Sequence, residues 1–348
     1  RCSAASVFTH LDRTRYNVIV IGIDYDGKWY IQDNPEVVND ESFGSILKFE
    51  KINECLLNHY ERGGRLYFFN PDTGKEVSAD VIFPVVHGTF CEDGTLQGLL
   101  DLSFVPYVGA GVAGSSIGMD KDVAKRLLRD AGIPVVPWLK VTKLNWINNR
   151  DKIISEIAAS IGFPCFVKPA NAGSSVGISK VKQEPEIDNA INEAFLWDDK
   201  VLIEQGINAR EIEIAILGNE SPEASIAGEI RPRHEFYSYE AKYIDADGAE
   251  LIIPAELDTA TMEKMQKIAI EAYLALECSG MARVDFFLDK ATGNFFLNEI
   301  NTIPGFTSIS MYPKLWEQSG IVYRELLNRL IDLAFKRAES RRNFKHGV

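Results

Sequence analysis

Strand-sized apolar runs alternate along the chain with apolar faces at helical spacing. Ala4, Val7, Phe8 and Leu11 fall at the i, i+3, i+4, i+7 spacing of one helix face, and the run Asn17-Val-Ile-Val-Ile-Gly-Ile-Asp24 follows them. That order predicts a helix leading into a buried parallel strand. A second run, Asp80-Val-Ile-Phe-Pro-Val-Val-His87, leads into a Gly-bearing loop and a short helix over Leu96 to Leu102, repeating the strand-loop-helix unit of an α/β layer. Asp120 is positioned to cap the next helix, whose face Val123, Leu127 and Leu128 stops at Gly132 with Pro134 just beyond. Strands near Trp138 to Val141, Pro164 to Pro169 and Gly177 to Val181, with a helix from Asp151 to Ile161, predict a small α+β unit ending near Gln205. Beyond it come the alternating segment Arg210-Glu-Ile-Glu-Ile-Ala-Ile-Leu217 and a long helix from Thr259 to Leu276. A hairpin follows, then a terminal helix with Leu326, Leu327, Leu330 and Ile331 on one face.

The hairpin carries the clearest chemistry. Ala282-Arg-Val-Asp-Phe-Phe-Leu288 and Asn294-Phe-Phe-Leu-Asn-Glu-Ile-Asn301 flank the turn-like Asp289-Lys-Ala-Thr-Gly293. A turn centred on Thr292 pairs Asp285 with Glu299 and Arg283 with Asn301, and the period of two puts all four on one face. Two facing carboxylates and an amide oxygen are hard ligands suited to Mg²⁺. The neighbouring Arg283 could stabilise negative charge developing on a carbonyl or phosphoryl oxygen. A surface hairpin carrying solvated charges is the plainer alternative; the coherent polar face, with Phe286, Leu288 and Ile300 turned the other way, favours the metal site. The following loop, Thr302 to Ser310, offers Gly305 for a special backbone angle and several hydroxyls for a small carboxylate.

A nucleotide site is suggested upstream. Lys168-Pro-Ala-Asn-Ala-Gly-Ser-Ser-Val-Gly177 links two predicted strands. Its free amides and the hydroxyls of Ser174 and Ser175 could cover a triphosphate while Lys168 adds charge. It is not a Walker loop, which opens a helix with Gly-Lys-Ser/Thr. Glu204 stands where a cleft would open between two units, and Glu211 begins the next strand, so the pair could meet a base and a ribose. Either acid taken singly could equally be an exposed strand end.

Length and composition narrow the classes. At 348 residues, 46% hydrophobic and 25% charged, the chain is a folded protein of two or three units. A formal net charge of −13 argues against nucleic acid or an anionic membrane as partner. No apolar run approaches the roughly 20 residues that span a bilayer. Five scattered cysteines lack Cys-x-x-Cys spacing, so a reducing cytoplasm is expected.

With these residues in this order, the chain resembles the ATP-grasp family, and within it the D-alanine:D-alanine ligases, along nearly its whole length. The signatures are His87-Gly-Thr-Phe-Cys-Glu-Asp-Gly94, Met119-Asp-Lys121, Lys168-Pro-Ala with Gly173-Ser-Ser-Val-Gly177, Glu240-Ala-Lys-Tyr243, Ala282-Arg-Val-Asp285 and Asn298-Glu-Ile-Asn-Thr-Ile-Pro-Gly305. The resemblance implies an α/β fold of three domains: an N-terminal parallel α/β substrate domain (1–118), a central lid domain (119–205) and a C-terminal catalytic domain (206–348), the last two sandwiching ATP. It implies that Lys121, Lys168, Ser175 and Lys242 touch ATP phosphates and that Glu204 and Glu211 hold adenine and ribose. Asp285, Glu299 and Asn301 are implied to bind two Mg²⁺ ions, with Mn²⁺ an alternative. Ser174 and Tyr243 are implied to close over the first substrate, Arg283, Gly305 and Ser310 to serve the oxyanion and the second substrate's carboxylate, and His87 to lie near the first D-alanine.

The implied reaction forms D-alanyl-D-alanine through an acyl phosphate, for peptidoglycan synthesis, in a cytoplasmic homodimer. The Glu240 to Tyr243 stretch looks like that of dipeptide-forming members rather than D-lactate users. Family members begin with a strand and a Ser-x-Glu-His-Glu turn, which would precede Arg1 here. Two rival readings are another ATP-grasp ligase with different acid and amine substrates, and a nucleotide-binding regulatory module without chemistry.

Overall fold

The computed structural model describes residues 1–58, 64–173, 175–232 and 249–342. The chain opens with helix α1 (Cys2–His10), followed by strands β1 (Val20–Ile23), β2 (Trp29–Gln32), β3 (Val37–Asp40), β4 (Gly44–Leu47), β5 (Glu54–Asn58), β6 (Leu66–Phe69) and β7 (Glu76–Ala79). β3 and β4 form a ribbon, and the other five make a sheet in the order β1-β2-β5-β6-β7. The parallel pairing expected of residues 17–24 is corrected here: β1 pairs antiparallel with β2. The cause is the turn directly after it. The Asp24 carboxylate accepts from the backbone N–H groups of Asp26 and Lys28, Gly27 takes φ +79°, and the chain doubles back at once. A tight hairpin can make only an antiparallel pair. The strand expected over residues 80–87 reduces to a single parallel bridge, Ile82 to Tyr107; Pro84 has no N–H with which to extend a ladder.

Helices α2 (Thr95–Leu102), α3 (Val112–Met119) and α4 (Lys121–Asp130) lead into the central unit. Asp120 caps α4 as its sequence suggested, accepting from the N–H groups of Asp122 and Val123. Strand β8 (Trp138–Thr142), helix α5 (Lys143–Ser160), strands β9 (Cys165–Pro169) and β10 (Ser179–Val181), helix α6 (Ile187–Ala194) and strand β11 (Lys200–Gln205) follow. They form a four-stranded antiparallel sheet, β10-β9-β11-β8, around a core that includes Val167, Ile191, Val201 and Ile203. Helix α5 starts earlier than the expected Asp151, because Thr142 caps it and the chain continues past a kink at Asn149.

The last unit contains β12 (Ala209–Gly218), β13 (Glu223–Pro232), β14 (Ala249–Ile252), α7 (Thr259–Ala275), β15 (Gly280–Asp289), β16 (Phe295–Asn301), α8 (Met311–Gln318) and α9 (Tyr323–Arg342). Its antiparallel sheet runs β14-β13-β12-β15-β16. Helix α7 covers one face over Ile212, Ile214, Val284 and Phe286. Helices α8 and α9 cover the other over Ala215, Leu217 and Met281. On that second face the period of two continues into Glu211 and Glu213 of β12 and Arg283 and Asp285 of β15, where the residues turn polar. The site lies where the helical cover gives way to charged side chains. Among the described residues no helix is long and apolar enough to cross a membrane.

Candidate active site

The expected site pairs are present, but not by the expected turn: beside the turn Leu288 meets Phe295, which centres it between Ala291 and Thr292 rather than on Thr292, and that register alone would set Asp285 against Asn298. Arg283 faces Asn301 and Asp285 faces Glu299, and a bulge at Asn298 then shifts the pairing by one so that Phe286 meets Leu297. The neighbouring strand β12 brings Glu213 opposite Asp285. Arg283 is held in a carboxylate fork. Its Nε and Nη2 donate to Asp285 Oδ1 and Oδ2 at 2.8 and 2.7 Å, and Nε lies 3.0 Å from Glu213 Oε2. Burial opposes the guanidinium charge, but Asp285 and Glu213 more than offset it and keep its pKa well above the ordinary value. Among the described residues one cation thus stands among three acids, Glu213, Asp285 and Glu299. Asn301 Oδ1 accepts from Ile303 N at 3.1 Å, which fixes the amide.

This donor set fits a hard divalent cation. Among the described residues no three of His, Cys, Asp or Glu converge on one point; the set is two in-register carboxylates and an amide oxygen, which leaves coordination positions for water and phosphate as Mg²⁺ prefers. Asp285 is engaged by Arg283, so it would have to share its oxygens with a metal.

The nucleotide side has the opposite charge balance. Lys168 on β9 faces Leu202 of β11, so Glu204 two residues further on projects from the same face. Lys168 Nζ donates to Glu204 Oε2 at 2.5 Å, and Lys125 from α4 lies 3.2 Å from Oε1. The Glu204 and Lys125 side chains are 2% and 1% exposed. Burial pushes the Glu204 carboxyl up, but the two ammoniums overturn this and hold it down to about 2. Burial lowers the pKa of Lys125. Among the described residues two cations stand on one acid, and Lys168 Nζ also lies 3.5 Å from Asn298 Oδ1 on the hairpin.

Helix α4 aligns this cluster. Lys121 and Lys125 are one turn apart on its buried face, and Lys121 Nζ donates to Ala172 O at 2.6 Å in the glycine-bearing loop. That loop is pinned at Asn171, whose N–H and amide donate to Asp198 Oδ2. It turns through Ser175 (φ +62°) and Gly177 (φ +67°). A Cβ on Gly177 would come within 2.6 Å of Trp197 Cδ1, so both backbone angle and space require glycine there.

The remaining expected residues flank these clusters. His87 is 40% exposed, with Nδ1 3.9 Å from Glu92 Oε1, and Glu92 Oε2 accepts from Gly88 N. The same oxygen lies 3.7 Å from where Gly173 would carry a Cβ, so the 87–94 loop adjoins the glycine loop. Gly305 is corrected as to cause: it has no positive φ, and what demands glycine is Ser310 Oγ, 2.7 Å from where a Cβ would sit. Ser310 Oγ accepts from Thr307 N at 2.9 Å and bonds its hydroxyl, holding the loop shut. Glu211 lies at the start of β12, two residues before Glu213 on the same face. Ser174, Lys242 and Tyr243 lie outside the described residues.

Lys125, Glu213 and Asn298 were not anticipated. Glu213 was detectable as the same-face neighbour of Glu211; Lys125 lies off the expected Val123, Leu127 and Leu128 face, which is corrected here, since the buried face carries Lys121, Ala124, Lys125 and Leu128 while Leu127 is exposed. Asn298 depends on a bulge that no residue in the hairpin announces. A shallow groove lined by Arg129, Pro134, Trp138 and Ile161 contains none of the expected site residues.

Comparison with known proteins places these features in a family. The family model described as D-ala D-ala ligase C-terminus matches residues 127–332, and the one described as D-ala D-ala ligase N-terminus matches residues 1–110. The D-alanine–D-alanine ligase A of Bradyrhizobium diazoefficiens is 50% identical over 99% of this chain and 93% of its own. That of Salmonella typhimurium is 45% identical over 96% and 91%. Among solved structures, the D-alanine-D-alanine ligase from Coxiella burnetii superposes with a TM-score of 0.80 at 35% identity, over 98% of this chain and 92% of that one. The VanG D-Ala:D-Ser ligase from Enterococcus faecalis gives 0.81 at 32%, over 96% and 94%.

Proposed function

The chain belongs to the D-Ala–D-Ala ligase family, and from that premise we propose that its two charged clusters are the nucleotide half and the acyl-transfer half of one site. The protein is an ATP-dependent ligase that joins two D-alanines into D-alanyl-D-alanine, the dipeptide used in peptidoglycan synthesis. The observation that carries the division of labour is the 3.5 Å approach of Lys168 Nζ to Asn298 Oδ1, which joins the cation-rich cluster to the hairpin.

A free carboxylate resists attack by an amine because it has no good leaving group. In the first step a carboxylate oxygen of one D-alanine bonds to the γ-phosphorus of ATP, and the bond from that phosphorus to the bridging oxygen breaks, giving an acyl phosphate and ADP. The neutral amine of the second D-alanine then attacks the carbonyl carbon. The resulting oxyanion collapses, inorganic phosphate leaves, and the nitrogen gives up a proton.

In this reading Lys121, Lys168, Ser175 and Lys242 hold the phosphates, Glu204 accepts from the adenine amino group, and Glu211 accepts from the ribose. Asp285, Glu299 and Asn301 would hold Mg²⁺, two ions or Mn²⁺ in their place, and the bound metal supplies neutralisation of phosphate charge. Arg283 stabilises the oxyanion in a water-poor setting, where a fixed cation is most effective. For Arg283 to keep its place while Asp285 turns to a metal, Glu213 must retain it. Gly305 and Ser310 shape the pocket for the second carboxylate, His87 borders the first D-alanine, and Ser174 and Tyr243 close over the intermediate, excluding water.

The division into units 1–118, 119–205 and 206–348, assembly as a homodimer and a cytoplasmic setting belong to the same proposal; sedimentation of the purified protein tests the assembly. Incubation with ATP, Mg²⁺ and D-alanine, with D-serine or D-lactate added as competing second substrates, tests the reaction. The expected product by mass is D-alanyl-D-alanine, with one ADP and one phosphate per dipeptide. Release of ADP without an acylated product, or preferential joining to D-serine or D-lactate, would overturn the substrate assignment.

A further inference from the structure

Lys125 bears on none of the steps above, yet it is the most completely buried charge at the site. Its side chain is 1% exposed, and its ammonium lies 3.2 Å from Glu204 Oε1 and 5.9 Å from the centroid of the Trp138 ring. Among the described residues Glu204 is the only acid within ion-pair distance of it. A buried lysine is costly, and an apolar residue of similar volume would pack at this position of α4 with less penalty. Its presence therefore calls for a function that packing does not supply.

The asymmetry of the triad supplies one. Lys168 is 10% exposed, stands on the other oxygen of Glu204, and reaches toward the hairpin at Asn298. Lys125 is enclosed on helix α4 and remains where it is. A triphosphate competes with Glu204 for Lys168, since phosphate oxygens are strong acceptors for an ammonium. Without Lys125, Glu204 would be left as a lone buried carboxylate once Lys168 turns to the phosphate, and such a group neutralises or moves rather than bear the desolvation.

We propose that Lys125 is a positioning residue for the nucleotide: it keeps Glu204 ionised and fixed after Lys168 has transferred its charge to a phosphate. The inference rests on the reading of Glu204 as the acceptor for the adenine amino group and of Lys168 as a phosphate ligand. Before binding, the cluster carries two cations and one anion. After binding, Lys125 and Glu204 form a neutral pair, and Lys168 is satisfied by the phosphate.

The test is a double-mutant cycle on the full enzyme, with KM for ATP and kcat measured for Lys125→Met, Glu204→Gln and the double variant. Lys125→Met is expected to raise KM for ATP about 10- to 100-fold, the range of one charge-assisted hydrogen bond, while kcat at saturating ATP changes less than about threefold. Lys125→Arg keeps the charge and is expected to restore most of the affinity. Because Lys125 acts through Glu204, the double variant should bind ATP no worse than Glu204→Gln alone. That comparison also stands if Lys125→Met alone fails to fold, since the double variant leaves no unpaired buried acid. Fully additive losses, or a fall in kcat with KM unchanged, would overturn the proposal. A Glu204→Gln variant with unaltered KM would instead overturn the underlying reading of Glu204.

Discussion

The two charged clusters are built alike and balanced oppositely. On the central sheet one carboxylate, Glu204, is gripped by two lysines, Lys125 and Lys168. On the hairpin one guanidinium, Arg283, is gripped by two carboxylates, Glu213 and Asp285. In each, an inner partner is enclosed and an outer partner is the one assigned to a ligand. Among the described residues the balance differs in sign: cations outnumber acids where a polyphosphate is to bind, and acids outnumber cations where a divalent cation is to bind. Each outer partner can therefore exchange a protein counter-ion for a ligand without leaving a bare charge in a dry site. The inner partner, which is assigned to no ligand, therefore determines whether the exchange is tolerable.

The comparison is most severely tested at Arg283. Replacing it with Ala removes the oxyanion donor and takes the guanidinium away from Glu213 and Asp285, so kcat is expected to fall about 10²- to 10³-fold, measured as dipeptide formed at saturating substrates. If kcat is nearly retained, the hairpin is not the acyl-transfer half. Next in size, Glu213→Gln should loosen Arg283 and reduce kcat about 10- to 100-fold, the range found for groups that orient metal-site residues, with KM for ATP little changed. That is the reverse of the pattern expected for Lys125→Met, and identical patterns for the two variants would dissolve the distinction between the clusters.

These two inner partners also mark the limit of what was legible in the sequence. Arg283, Asp285, Glu299 and Asn301 were placed on one face by assuming a turn centred on Thr292; the observed pairs are those, but the turn lies half a residue earlier and the bulge at Asn298 makes up the difference. Lys168 and Glu204 were legible as a loop cation and a strand-end acid, but their mutual contact was not, because it depends on β9 lying beside β11. Glu213 sits in a mostly apolar strand and Lys125 in a helix rich in charged residues, and both read as ordinary strand and helix residues until tertiary packing encloses them. The N-terminal sheet shows the same limit. The turn Asp24 to Gly27, only four residues long, converts an expected parallel strand into half of a hairpin.

Smaller effects sharpen the nucleotide side. Gly177→Ala forces a Cβ toward Trp197 at a positive φ, and should lower stability by about 1–3 kcal/mol, read by denaturant unfolding, with a weaker apparent affinity for ATP. The pH dependence of stability provides the finest probe. The Glu204 carboxyl is held at about 2, below its ordinary 4.5, so its contribution is complete above about pH 4.5 and is lost as pH falls toward 2. Denaturant midpoints measured across that window should fall for the unmodified protein and fall less steeply for Glu204→Gln; parallel curves would mean that the lysine pairs do not hold the carboxylate ionised.

The division between a cation-rich nucleotide grip and an anion-rich metal grip is tested most directly by equilibrium binding of a non-hydrolysable ATP analogue to Asp285→Asn, with and without Mg²⁺. Without Mg²⁺ the variant should bind as the unmodified protein does, because the lysines and Glu204 are intact, and on adding Mg²⁺ it should lose most of the gain that the unmodified protein shows. Weakened binding in the absence of Mg²⁺, or an undiminished gain in its presence, would contradict it.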